Sequence, residues 1–226
     1  MLDWLVDLIL PPRCGGCHVA GSWLCDRCRR QIRRLEEPLC RRCGAELDSK
    51  QDTCGCRTRM HALSRLRSAV AYEGPVESLV HRFKYQGWRA LARPLALLLC
   101  DRIVVEGLAS SFVLPVPLHS ERRRQRGFNQ SELLAHELRQ HLNLRDPPGR
   151  LVRIRATRPQ VGSDRLRRWE NVSGAFAWQG DALEGRSLMV VDDVATTGAT
   201  LEACAVALKA AGSGPVIGVT VARVRI

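Results

Sequence analysis

The residues best equipped for chemistry lie between Leu188 and Thr200, in the run LMVVDDVATTGAT. Asp192 and Asp193 are adjacent carboxylates, and burying two such groups without partners costs on the order of several kcal/mol. They are therefore expected at an open strand end, facing a ligand. Before them, Leu188, Met189, Val190 and Val191 form a short apolar run that predicts a strand covered on both faces. After them, Val194 and Ala195 are small, Thr196 and Thr197 supply hydroxyls, and Gly198 allows close backbone approach. Ala199 and Thr200 open a predicted helix that runs to Ala211 and stops at Gly212. Strand, tight loop and helix N-terminus in that order form an anion site from N–H groups and the helix dipole. The carboxylates beside it suit hydroxyls or a metal.

A ribose 5-phosphate unit fits this combination, with its phosphate in the loop and its 2′ and 3′ hydroxyls donating to the aspartates. The segment resembles the phosphoribosyl pyrophosphate (PRPP) motif of type I phosphoribosyltransferases. A second basic segment follows a predicted strand at Phe112 to Val116. It comprises Pro117, Leu118 and His119, then Arg122, Arg123, Arg124 and Arg126 with Gly127, Phe128, Asn129 and Gln130. Phosphoribosyltransferases place a pyrophosphate loop after such a strand. By that likeness the run is expected to be a mobile basic loop over a bound diphosphate, where guanidinium groups donate in a fixed fork and stay charged.

Cysteines mark a separate chemistry. Of the 10 in the chain, all but Cys100 and Cys204 fall before residue 57, as Cys14-x-x-Cys17, Cys25-x-x-Cys28, Cys40-x-x-Cys43 and Cys54-x-Cys56. No secretory signal is visible, because the chain opens on the acid-containing apolar segment MLDWLVDLIL, too short to span a bilayer. A reducing cytoplasmic setting is expected, and there paired cysteines bind zinc in preference to forming disulfides. The simplest arrangement gives one ion to Cys14, Cys17, Cys25 and Cys28, and a second to Cys40, Cys43, Cys54 and Cys56. Four thiolates leave no open coordination position, so about two structural Zn²⁺ ions are expected, supplying much of the folding free energy of a module this small. His18 is expected to face solvent. Met1 to Leu10 suggests a short helix that docks on a membrane or a partner or, in the favoured reading, packs on this module, because it lacks the basic face of an interfacial helix.

These groups need a scaffold, and 226 residues suffice for one medium α/β domain plus a small module. The expected division is residues 1–60 for the terminal helix and a double zinc-ribbon-like module, and 61–226 for the α/β domain. Strands are expected at Arg65 to Tyr72, Phe112 to Val116, Leu188 to Val191 and Val216 to Val221. Helices are expected at Pro75 to Tyr85, at Trp88 to Val105 and around Leu133 to Leu142, with Asn129 as N-cap and Glu132 as its reciprocal acid. Such alternation implies a mostly parallel sheet wrapped by helices, with ligands at the strand C-termini. Thirty-five Lys and Arg against 23 acids leave a net charge of +12, which attracts polyanions. Arg27, Arg29, Arg30, Arg33 and Arg34 form a basic cluster that at helical spacing either tracks a phosphate backbone or is an ordinary charged face.

Taken in order, the cysteine pairs, FKYQG (Phe83 to Gly87), VPLHSERRRQRGFNQ, RPQVGSDRLRRWENVSGAF and VVDDVATTGAT resemble the ComF-like (GntX-like) proteins of bacteria, over nearly all 226 residues. The resemblance implies a phosphoribosyltransferase-like fold, a role in competence and use of extracellular DNA, and partners in the competence machinery. It adds Lys84, Gln160, Arg168 and Asn171 to the ligand cleft, and Asp192, Asp193 and Arg126 as groups acting on PRPP. Thr196 stands where purine-salvage phosphoribosyltransferases carry an aspartate base, so the loop is closer to the orotate type. Two functions follow. In one, Mg²⁺ bridges PRPP hydroxyls and diphosphate while the arginines stabilise departing pyrophosphate. In the other, a catalytically idle domain senses PRPP or a nucleotide while the zinc module grips single-stranded DNA.

Overall fold

The structure, a computed structural model, describes residues 11–48, 54–155 and 165–225, with the side chains of residues 57 and 165–168 outside that description. The Met1 to Leu10 segment and Gln160 therefore lie outside the described residues. The cysteine-rich region carries the short helix α1 (Asp26–Gln31). The chain then runs through β1 (Arg65–Ala71), α2 (Pro75–Tyr85), α3 (Ala92–Val105), β2 (Phe112–Pro115), α4 (Ser120–Arg126) and α5 (Gln130–Leu142). It continues with β3 (Gly149–Arg153), α6 (Arg165–Val172), β4 (Phe176–Gly180), β5 (Leu188–Ala195), α7 (Ala199–Ala210) and β6 (Val216–Arg223).

Four strands make one parallel sheet in the order β1-β6-β5-β2. Its central strands are apolar on both faces, as the fully buried Leu188, Met189, Val190 and Val191 require. On one face Val70, Met189, Val191 and Val219 pack with Leu79 and Phe83 of α2, Leu95 and Leu99 of α3, and Leu134 and Leu138 of α5. On the other, Leu66, Leu188 and Val190 meet Leu201, Ala205 and Leu208 of α7, and Leu151 and Phe176 from a separate antiparallel β3–β4 hairpin. That hairpin was not expected, because GRLVR carries little alternation and its partner strand follows only after a helix.

The cysteine-rich region is built onto the edge of this sheet. Ala71 N–H donates to the Arg33 carbonyl at 2.9 Å, Leu66 N–H donates to the Arg42 carbonyl at 2.7 Å, and Arg34 bridges Val70. The polar backbone of edge strand β1 is thereby paired. Cys14 and Cys28 belong to the core layer of α2 and α3, whereas Cys40 and Cys43 belong to the layer of α7.

Three local expectations change. Strand β5 does not end at Val191 but runs through both aspartates, because pairing with β6 continues at Asp192 opposite Thr220 and at Val194 opposite Ala222. The basic run is a helix and not a mobile loop. His119 caps α4 by accepting from Glu121 N–H, Gly127 closes it at φ +74°, and the residues between are mostly good helix formers. Asn129 does cap α5, but Glu132 pairs with Arg123 at 2.6 Å in place of closing a capping box.

Candidate functional site

Strand β5 lifts Asp192 and Asp193 to the C-terminal edge of the sheet, the place where parallel α/β proteins collect ligands. There they border a cavity of about 270 Å³. Because side chains alternate along a strand, the two carboxylates point apart and find different partners. Asp193 is 6% exposed and pairs with Lys84 Nζ at 2.8 Å. Burial alone would lower the Lys84 pKa, but the charge of Asp193 outweighs it and holds the ammonium above its usual value. Asp192 Oδ1 accepts from Ser131 Oγ and from Asp193 N–H, both at 2.9 Å. Burial, followed by the neighbouring charge of Asp193, pushes its carboxyl up to about 7, against the pull of Lys84 and these two donors.

From β5 the chain passes through Thr196 and Thr197 to Gly198 and into α7. Gly198 has φ +82°, which favours glycine, and a Cβ there would also crowd Leu66 Cδ2 at 3.1 Å. Thr197 Oγ1 accepts from Ala199 N–H at 3.3 Å, which shapes the turn. One turn into the helix, the buried Glu202 carboxylate accepts from the N–H groups of His61, Ala62 and Leu63 at 2.6, 2.7 and 2.9 Å. The loop is thus held from behind by the segment that leaves the second cysteine cluster.

The opposite wall is cationic. Arg122 and Arg126, one helical turn apart on α4, both line the cavity with Lys84 from α2 and Arg153 from β3. Arg126 donates to Gln130 Oε1 at 2.9 Å, which keeps it against the start of α5. Burial lowers the Arg153 pKa, and Arg122 adds to that effect.

Of the expected site residues, Asp192, Asp193, Arg126, Lys84, Pro117, Leu118, Gln130 and Asn171 line the cavity together with Val194, Ala195, Thr196, Thr197, Gly198, Ala199 and Thr200. Three do not. Arg124 is exposed on another face of α4, because a helix turns it away from Arg122 and Arg126. Gly127 caps that helix. Asn129 is buried, with its Oδ1 accepting from Ser131 N–H and its Nδ2 donating to the Val116 carbonyl, so it positions the wall without lining it. Gln160 and the side chain of Arg168 lie outside the described residues. Sequence reasoning passed over Ser131 and Arg153. Ser131 adjoins Gln130 in the FNQSE run and was within reach of it; Arg153 arrives through the hairpin, for which no local signal exists.

The sulfur atoms of Cys14, Cys17, Cys25 and Cys28 lie within 4.8 Å of one another, as do those of Cys40, Cys43, Cys54 and Cys56. Sulfur–sulfur separations include 3.6 Å for Cys17 to Cys25, 3.3 Å for Cys43 to Cys54 and 3.7 Å for Cys40 to Cys56. Zn–S bonds of about 2.3 Å in a tetrahedron place sulfurs about 3.8 Å apart, so both sets fit zinc closely. Burial raises the thiols of Cys14 and Cys40, but backbone N–H donors outweigh it and bring both down to about 6. His18 is exposed and joins Arg82 and the edge of Trp88, apart from the sulfurs. Among the described residues no helix is long and apolar enough to cross a membrane.

The molecule is thus an α/β protein with a parallel sheet and two four-cysteine clusters set against it. The double zinc ribbon domain model matches residues 5–57. Competence protein F of Haemophilus influenzae is 33% identical over 195 residues, covering 83% of this chain and 84% of that protein. The DNA utilization protein YhgH of Escherichia coli O6:H1 is 33% identical over 205 residues, covering 86% and 89%. Competence protein ComFC of Bacillus subtilis is 27% identical over 185 residues, covering 79% and 74%. The chain belongs to the competence protein F family. Among solved structures, a hypoxanthine phosphoribosyl transferase of Trypanosoma cruzi aligns with 63% of this chain and 76% of its own, at 15% identity and a TM-score of 0.33.

Proposed function

We propose that this protein binds PRPP, or a related ribose 5-phosphate ligand, in the cleft at the ends of β2 and β5, and that it does so in competence or DNA use. The observation carrying the reading is the juxtaposition, in one cavity, of two aspartates, a Thr-Thr-Gly turn at a helix N-terminus, and four cationic side chains. A sugar phosphate is the common ligand that asks for all three. The turn takes the 5-phosphate, Asp192 and Asp193 take ribose hydroxyls, and Lys84, Arg122 and Arg126 take the diphosphate. Mg²⁺ would enter with the diphosphate and neutralise part of its charge. The DNA-related role rests on the names of the relatives, Competence protein F and DNA utilization protein. In this proposal residues 1–60 form the zinc unit, residues 61–226 form the ligand-binding domain, and the setting is the cytoplasm.

A second reading, a PRPP or nucleotide sensor without transfer, is favoured by one observation. Thr196 offers no carboxylate base toward an incoming acceptor, and a hydroxyl is a weak substitute. Calorimetry of PRPP binding with and without Mg²⁺ tests the shared part of both readings, and saturable Mg²⁺-dependent binding is expected. Absence of binding at millimolar PRPP overturns both. Pyrophosphate release with purine, pyrimidine or amine acceptors then separates transferase from sensor.

A further inference from the structure

The cleft continues past its arginines. A second hollow of about 380 Å³ adjoins it, and Lys84, Arg122 and Arg126 line both. What the second hollow adds is an aromatic ring. Tyr85, the last residue of α2, is 63% exposed, although its neighbour Phe83 is fully buried. The Arg126 guanidinium lies 4.9 Å from the Tyr85 ring centroid, and the His81 ring lies 5.1 Å away at 49°. Gly87 borders the hollow at φ +71°, and a Cβ there would meet nothing within 4 Å, so the rim beside the tyrosine is open.

A tyrosine this exposed contributes little to the core, and its ring is held in place by two polar side chains. A stacked ring and guanidinium beside a phosphate site provide the two things a nucleotide needs, a flat π surface for its base and cations for its phosphate. We infer that Tyr85 and Arg126 form a stacking platform for a nucleobase, so that the second hollow takes a nucleoside phosphate, free or as part of single-stranded DNA, whose phosphate reaches the cations shared with the main cleft. Stacking of this kind tolerates any base, because every base has a π face. The inference rests on the reading of the main cleft as a phosphate site, and PRPP, which has no base, separates the two.

The test compares the full-length, zinc-loaded wild type with Tyr85→Ala and Tyr85→Phe, using PRPP, dTMP and a short oligo(dT) as probes. Tyr85→Ala is expected to weaken dTMP or oligo(dT) roughly tenfold while leaving PRPP within about twofold, and Tyr85→Phe to keep the affinity for all three, since the phenyl face still stacks. Loss with both dTMP and oligo(dT) assigns the platform to free nucleotides as well as strands; loss with oligo(dT) alone assigns it to the strand. Unchanged dTMP and oligo(dT) affinity in Tyr85→Ala overturns the platform, as does wild-type protein that binds PRPP but neither other probe. Failure of wild-type protein to bind PRPP overturns the proposed function itself.

Discussion

The aspartate pair shows how one sequence feature acquires two unlike roles. On consecutive positions of a strand, Asp193 turns inward to Lys84 and Asp192 turns to Ser131. Removing Lys84 leaves a buried carboxylate without its partner, so Lys84→Met should cost about 2–4 kcal/mol in urea unfolding. Much of that loss should return in Lys84→Met/Asp193→Asn, because the stranded charge is then gone. Asp192 makes the opposite prediction. Its folded value of about 7 lies above an unfolded value near 3.9, so its protonated form is the one the fold favours. The associated stability is present below about pH 4 and is lost as pH rises to about 7. Asp192→Asn should therefore match the wild type near pH 4, gain on it up to about pH 7, and hold a lead on the order of 1 kcal/mol or more above that. The same variant should bind Mg²⁺-PRPP roughly tenfold more weakly at pH 8, where the wild-type carboxylate is charged, which calorimetry checks. Stability gained together with affinity lost is the pattern of a binding residue, and equal loss of both would contradict that assignment.

At the scale of elements, the Thr196–Gly198 turn depends on what stands behind it. Glu202 joins the first turn of α7 to residues 61–63 through three short hydrogen bonds to a buried carboxylate. Glu202→Ala should cost about 3 kcal/mol or more, since three backbone donors lose a charged acceptor at once. PRPP affinity should fall with it, as the loop loses its support; urea unfolding and calorimetry read the two effects separately. The lengths of α2 and α5 were legible because Pro75, Asn129 and regular apolar spacing mark them in the chain. The helical state of Ser120 to Arg126 was not, because a run of arginines has no apolar stripe and reads equally as a loop. Its consequence is functional, for only a helix directs Arg122 and Arg126 together into the cleft and Arg124 away from it.

Across the whole molecule, the two zinc ribbons straddle the β1 edge of the sheet, one in each core layer. About two Zn²⁺ ions per chain are expected by elemental analysis, and Cys25→Ser and Cys54→Ser should each remove one. Chelation should also lower the unfolding midpoint of the entire chain in a single transition, because Cys14, Cys28, Cys40 and Cys43 pack among core side chains. A separate early transition confined to the ribbons would contradict that coupling. The tertiary structure also narrows the surface open to nucleic acid. Arg33 pairs with Glu46 and Glu73, and Arg34 pairs with Asp101, so both are occupied within the fold. Arg27, Arg29 and Arg30 remain exposed on or beside the exposed face of α1. If the ribbon region holds single-stranded DNA, replacing these three with alanine should flatten the salt dependence of filter binding by about two units of log–log slope, at roughly 0.7 per phosphate contact. Replacing Arg33 and Arg34 should instead lower stability and leave that slope nearly unchanged.

The sequence by itself determined the chemistry that rests on neighbours in the chain. The cysteine spacings, the strand–loop–helix around Asp192 and Asp193, and the α/β alternation are all local patterns, set by backbone geometry and by ligand reach over a few residues. It also ordered the motifs well enough to reveal the family. Only the tertiary structure decided which charges meet. Lys84 and Asp193 are 109 positions apart and Ser131 and Asp192 are 61 apart, and no periodicity encodes such a pairing. It arises because parallel strands bring distant segments to one sheet edge, where burial makes an unpaired charge costly and so selects its partner. The same long-range packing set Cys14, Cys28, Cys40 and Cys43 among core side chains and brought Arg153 to the cleft.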